Sequence, residues 1–321
     1  MKAVIAGTGS EVPPKIVTND DLSKIVDTSD EWIRDRTGIM ERRVTDEGTA
    51  TSDLAVIAAE RALTSAGISP MELDLIIVAT CSPDTLFPSV ACIVQDRLGA
   101  KKAAAFDISA ACSGFNFALS AAAAYIESET FKNVLVVGAD TLTKYLDWTD
   151  RNTCVLFGDG AGAVALRGEK GDCGVLASYI RAKGEGRDFL VMPGGGTRDP
   201  EMKNGRFIRM DGKEVFKFAV HALEDSVKEI IQKAGFTFED IDLLIPHQAN
   251  LRIIEHVRKK FNLPEKKVYV NLMKYGNTSA ASVPLALDEA VNEGRIKSGD
   301  LVVLAGFGAG LTYGSNIIRW R

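Results

Sequence analysis

Three residues of the chain have types and settings suited to attack on a carbonyl carbon. Cys112 stands among small residues in DISAACSGFNFALSAAAAYI (107–126), ahead of an alanine-rich stretch with helical spacing. The exposed amides and dipole of a helix start favour a thiolate, so this placement predicts a lowered thiol pKa. Ala110, Ala111, Ser113 and Gly114 around it leave room for an acyl group. His247, in IPHQAN, ends an apolar run, and Asn277 follows Gly276 in YGNTSAAS. A neutral imidazole and a carboxamide facing a thiolate suit a reaction in which negative charge grows on a thioester oxygen. GFGAG (306–310) could aim a backbone N–H at that oxygen beside the N–H of Cys112. Cys81, Cys92, Cys154 and Cys173 lack such a setting and read as structural.

An internal repeat explains how distant residues could meet. SAGISPMELDLIIVAT (65–80) aligns with KAGFTFEDIDLLIPHQ (233–248), and Asp74 with Asp242, an offset of 242 − 74 = 168. NVLVVG (133–138) and LVVLAG (301–306) keep that offset, since 306 − 138 = 168. SAACSG (109–114) then maps onto NTSAAS (277–282), so equivalent turns present Cys112 and Asn277. Each half reads as a helix closed by an alanine–glycine pair, a doubly buried strand, a loop, a second helix and a second buried strand. That order predicts an α/β fold with mostly parallel strands, in two pseudo-twofold halves spanning 1–172 and 173–321. Residues 141–156 have no counterpart and read as an insertion, and 183–212 as loop and short hairpin between the halves.

The composition narrows the function classes. The 321 residues carry a net charge of −5, which disfavours a general nucleic-acid binder. No apolar run reaches the roughly 18 residues that span a bilayer, and the N-terminus reads as strand and loop, not as a signal peptide. Five widely spaced cysteines fit a reducing cytoplasm better than a disulfide framework. CxxC and HxxxH are missing and the three histidines lack ligand spacing, so no metal site is expected. GTGSEVPP (7–14) lacks the third glycine of a dinucleotide fingerprint.

Several long motifs in order resemble one family: TSDEWIRDRTGI (28–39), DISAACSGF (107–115), FGDGAGA (157–163), PHQANLRI (246–253) and GNTSAASVP (276–284). The chain resembles the β-ketoacyl-[acyl-carrier-protein] synthase III family, thiolase-like enzymes that initiate bacterial fatty-acid synthesis. The Cys, His, Asn set separates it from elongating synthases with Cys, His, His, from thiolases with a second catalytic Cys, and from hydroxymethylglutaryl-CoA synthases with a Glu. The resemblance implies a layered αβαβα homodimer. It implies that Cys112 takes an acyl primer, such as acetyl, from acyl-CoA, and that His247 and Asn277 hold the thioester carbonyl of malonyl-[acyl-carrier protein] as CO2 leaves. No cofactor beyond the acyl-CoA substrate is expected. Thr28, Trp32, Arg36, Arg151 and Asn250 resemble CoA-binding residues, and Gln248, Ala249, Asn250, Leu251 and Arg252 a carrier-protein docking segment. Phe87, Leu142, Phe157 and Phe307 would bound the primer pocket, Phe87 from the partner subunit. The chain has Gly308, Ala309, Gly310 where the family usually has three glycines, and Tyr313 where it usually has tryptophan. The backbone of Ala309 would serve the oxyanion only if its φ suits alanine. A non-decarboxylating acyltransferase of the same superfamily is the alternative reading.

Overall fold

A computed structural model describes all residues, Met1–Arg321. Two sheets carry the repeat. The first has strands in the order Lys2–Glu11, Gly160–Glu169, Asn133–Asp140, Leu75–Ala79, Ala104–Ile108. The second has Gly174–Ala182, Thr312–Arg319, Leu301–Gly308, Leu243–Pro246 in the corresponding order. The place of a fifth strand there is marked by an isolated parallel bridge between Val268 and Leu244. The strand starting at Gly160 has its counterpart at Thr312, an offset of 152, which is 168 less the 16 residues of 141–156. That segment has indeed no equivalent.

The expectation of mostly parallel strands needs correction. Leu75–Ala79 pairs parallel with both its neighbours, but Gly160–Glu169 is antiparallel to both of its own. Thr312–Arg319 is likewise antiparallel to Leu301–Gly308 and to Gly174–Ala182. The reason is connection length. A parallel return needs a crossover of about a dozen residues or more, and only Ala309–Leu311 joins the strands Leu301–Gly308 and Thr312–Arg319. Residues 183–212 also differ from expectation. They lie within the second half, between its first strand and the helix Gly212–Ala234, with a two-stranded ribbon of Leu190–Val191 and Arg209–Met210.

The helices make three layers around the sheets. Thr51–Ala66 covers the outer face of the first sheet and Gly212–Ala234 that of the second. Both end at glycines in the left-handed region, Gly67 (φ 60°) and Gly235 (φ 78°), as the alanine–glycine pairs predict. Between the sheets lie Gly114–Glu127 and Ser282–Asn292, each touching both. Their buried residues mix small and large, Ala118, Ala122 and Ala123 with Phe115 and Leu119 on one, and Ala286 and Ala290 with Leu285 and Leu287 on the other. Pro284 sits in the first turn of its helix, where no backbone donor is lost. No helix is long and apolar enough to cross a membrane.

Two glycines at symmetry-related positions join the halves. A Cβ on Gly138 would run into the Ala280 carbonyl of the other half and stand 3.2 Å from Pro284 Cγ. A Cβ on Gly306 would meet the Asn116 carboxamide and stand 3.2 Å from Ser113 Cα. Each half's second buried strand thus presses on the turn that opens the other half's central helix. Gly138→Ala should therefore lower stability by about 1–3 kcal/mol, the usual cost of overpacking, in chemical denaturation. Gly184→Ala, which meets nothing within 4 Å, is the control, and equal midpoints for the two variants would contradict the contact.

Candidate active site

Cys112 lies in a single 3-10 turn, Ala111–Ser113, that precedes the helix Gly114–Glu127. The turn is sharp: Ala111 takes φ 46°, and its repeat equivalent Ser279 takes φ 52° in the turn Ser279–Ala281. Left-handed backbone is costly for residues with a Cβ, so both turns are held by their surroundings. His247 follows the strand Leu243–Pro246, with its N–H bonded to Ala305 O at 2.7 Å. Asn277 is held on both sides by the first half: its N–H donates to Leu156 O at 2.8 Å and its carbonyl accepts from Gly158 N at 3.0 Å. All three side chains are buried, and they line one cavity of about 90 Å³ together with Phe307 and Gly308.

The electrostatics of this cluster correct one expectation. Burial, above all, pushes the Cys112 thiol up to about 12; a hydrogen bond with Ser279 pulls the other way, and the Asp140 carboxylate adds to the rise. The lowered pKa expected of a helix start is thus not found, because the sulfur is enclosed and an anion lies near it. Burial also holds His247 down at about 3, so the imidazole is neutral. The Asn277 Oδ1 accepts from Ser279 N at 2.9 Å, which leaves its NH2 to face the cavity as a donor. The ring of His247 stands edge-on to Phe307 at 5.0 Å, which fixes its plane.

A second cavity, of about 120 Å³, opens on the other side of Cys112. Leu142 lines this cavity, Phe157 lines both, and Phe307 lines the first, where it packs against the imidazole. Phe87 lines neither cavity and is 84% exposed. Ala309 borders this second cavity beside Ala111 and is not among the residues of positive φ, so alanine fits its backbone. Sequence reasoning missed Tyr145, Leu190, Val191, Met192 and Ile208, which complete the wall. The apolar run LVM (190–192) in an otherwise charged and glycine-rich loop was the available signal. Cys81 is also more than structural filler: it borders the cavity, and its thiol donates to Asp140 at 3.5 Å.

The outer residues fall into two groups. Trp32 and Arg36 share one face of the helix Asp30–Thr37, with the guanidinium 4.3 Å from the ring centroid. Arg151 lies 5.2 Å from the same ring and donates to Asp27 O. Thr28 precedes this helix with a buried Oγ1 that has no partner, while Ser29 supplies the N-cap. Asn250 caps the helix Leu251–Lys260 and, with Arg252, donates to the last carbonyls of the Trp32 helix, Arg36 O and Asp35 O. Gln248 corrects the docking assignment. It is buried, and its amide is spent on Pro246 O, Tyr269 O and Asn271 N, so it cannot meet a partner. Ala249 and Leu251 are partly buried against the core, and only Arg252 of the five is exposed.

A buried Cys, His and Asn between two mirrored α/β halves define a thiolase-like fold. Residues 106–184 match the family described as 3-oxoacyl-[acyl-carrier-protein] synthase III, and residues 231–320 match its C-terminal part. A β-ketoacyl-[acyl-carrier-protein] synthase III of Caldanaerobacter subterraneus is 56% identical, over 99% of this chain and 98% of that one. One of Clostridium acetobutylicum is 53% identical over 98% of each. The crystal structure of 3-oxoacyl-[acyl-carrier-protein] synthase III from Aquifex aeolicus superposes with a TM-score of 0.93 at 50% identity, covering 99% of this chain and 100% of that one. The chain belongs to the β-ketoacyl-[acyl-carrier-protein] synthase III family, and it is an acyltransferase of the class that carries out the initiating condensation of fatty-acid synthesis.

The neutral His247 has a consequence for stability. An unfolded histidine takes up a proton near pH 6.5, whereas the folded one resists until about 3. Unfolding then binds a proton, so stability falls as the pH drops through that window, by up to about 1.4 kcal/mol per pH unit. Denaturation midpoints of the wild type and His247→Gln between pH 7 and 4 should show a shallower acid loss in the variant. Parallel curves would mean that His247 takes up its proton as readily in the folded as in the unfolded state.

Proposed function

We propose that the enzyme condenses a short acyl-CoA primer, acetyl-CoA, with malonyl-[acyl-carrier protein] through an acyl-cysteine at Cys112. The observation that carries this reading is the shared cavity in which Cys112 faces a neutral imidazole and the free NH2 of Asn277. Cys112 sulfur attacks the thioester carbon of the primer, the C–S bond to CoA breaks, and the thiol proton ends on the departing CoA sulfur. Malonyl-[acyl-carrier protein] then enters. Its C–CO2 bond breaks, and the electron pair forms an enolate whose oxygen is held by N–H groups of His247 and Asn277. The enolate carbon attacks the acyl-cysteine, the C–S bond to Cys112 breaks, and the departing thiolate takes a proton from solvent. The products are 3-oxoacyl-[acyl-carrier protein], CO2 and CoA.

The repeat supports an oxyanion role for the turn of Cys112. In the second half the equivalent amide, Ala280 N–H, donates at 3.1 Å to the Asp140 carboxylate, a bound anion. Asp140 is replaced by Gly308 at the equivalent position, whose added Cβ would stand 2.6 Å from Cys112 N. Removal of that side chain leaves the Cys112 N–H open to a substrate oxygen, beside the N–H of Ala309. Trp32, Arg36 and Arg151, with Thr28 and Asn250 nearby, are read as the CoA site, and Arg252 as the contact to an acidic carrier. The exposed Leu86 and Phe87, and the outermost strand Ala104–Ile108 with a free edge, favour a homodimer.

Mixing enzyme, labelled acetyl-CoA and malonyl-[acyl-carrier protein] tests this reading. Cys112→Ser should form no acyl-enzyme in intact-mass spectra; stoichiometric acetylation of the variant would assign the nucleophile elsewhere. Asn277→Ala should lose about 10²–10³-fold in CO2 release, the cost of one oxyanion donor, while it still takes up the acetyl group. Equal loss of both steps would give Asn277 a structural role, and acyl transfer without CO2 would favour the non-decarboxylating alternative.

A further inference from the structure

The first residue of the central helix Ser282–Asn292 touches the imidazole of His247. Ser282 is buried, and its Oγ accepts from the backbone N–H of Gln248 at 2.7 Å. The same oxygen stands 2.9 Å from His247 Nδ1. The hydroxyl has one hydrogen to give, and Nδ1 is the one acceptor within reach of it. Donated there, it leaves Nδ1 bare and puts the ring proton of a neutral imidazole on Nε2.

The repeat gives an independent sign that the two residues belong together. At the offset of 168, His247 corresponds to Ala79 and Ser282 to Gly114. The positions are neighbours in that half too, since a Cβ on Gly114 would stand 3.1 Å from Ala79 Cβ. Where the imidazole is missing, the hydroxyl is missing with it. Ser282 also does no capping for its own helix, which leaves its oxygen to the Gln248 amide and the imidazole.

We infer that Ser282 is a positioning residue that locks His247 as an Nε2–H donor, so that the imidazole stabilises the enolate oxygen of the extender and does not act as a base towards Cys112. The inference rests on the reading of His247 as an enolate donor given above. It assigns the loss of a wrong tautomer to decarboxylation alone, because acyl transfer to Cys112 uses no proton from the ring.

The test joins a spectrum with kinetics. In the enzyme labelled with 15N-histidine, the three histidines are few enough to assign, with His247→Gln as the reference. His247 should show a protonated Nε2 and a bare Nδ1 across neutral pH. In Ser282→Ala the bare nitrogen should lose its hydroxyl partner and Nδ1–H tautomer should appear. CO2 release from malonyl-[acyl-carrier protein] should then fall by about tenfold or more, towards the ~10⁴-fold that a wrong tautomer costs a Ser-His-Asp enzyme. Formation of the acyl-cysteine should stay as in the wild type, and Ser282→Thr, which keeps the hydroxyl, should recover the tautomer and the CO2 release. A wild-type imidazole protonated at Nδ1 overturns the inference, and that spectrum decides even if Ser282→Ala does not fold. Undiminished CO2 release in a folded Ser282→Ala, or equal loss of both half-reactions, overturns it as well. A wild type that releases no CO2 from the malonyl carrier would instead sink the underlying function, whatever tautomer the spectrum shows.

Discussion

The crossed contact between the halves is the constraint on which the site depends. Gly138 and Gly306 carry no side chain, and this lets each buried strand lie against the turn that starts the opposite central helix. The turn of Cys112 therefore rests on the second half, and the turn that follows Asn277 rests on the first. Asn277 is further tied by its own backbone to Leu156 and Gly158. A sulfur from one half and two polar groups from the other meet because neither turn could be packed without its counterpart.

Symmetry supplies the frame, and chemistry comes from where the halves differ. One turn holds an internal anion: Asp140 accepts from Ala280 N and from Thr80, Cys81 and Ser82. The other has glycine at the matching position and a cysteine where the first has alanine. The strand ends differ in the same way, with His247 opposite Ala79. An arrangement of two packed copies has thus become asymmetric at a few positions, with one turn closed by Asp140 and the other facing Gly308.

Much of this was legible in the sequence because the repeat could be measured. An ungapped offset placed the strands, the αL glycines at 67 and 235, the unmatched segment 141–156 and the pairing of the two turns. Strand direction was misread, since buried apolar runs look alike whether their neighbours run parallel or antiparallel. The three-residue connection Ala309–Leu311 was the better guide. The site's types were legible and its electrostatics were not. A helix start argues for a lowered thiol pKa only if the sulfur is open to solvent, and the cavity beside Cys112 is lined by residues far along the chain, among them Leu190, Met192 and Ile208. Gln248 misled for a related reason. It stands in a polar run, yet its side chain is turned inward to satisfy backbone groups of Tyr269 and Asn271.

The meeting of Cys112 with His247 across the two halves can be measured with a short bifunctional alkylating agent such as 1,3-dibromoacetone. Its first bromide reacts with a thiol and its second with a nitrogen that lies within a few bonds of the sulfur. After digestion, mass spectrometry should find one cross-linked species joining the peptide of Cys112 to the peptide of His247. Recovery of Cys112 carrying only the singly attached, hydrolysed reagent, with the His247 peptide unmodified, would contradict the account.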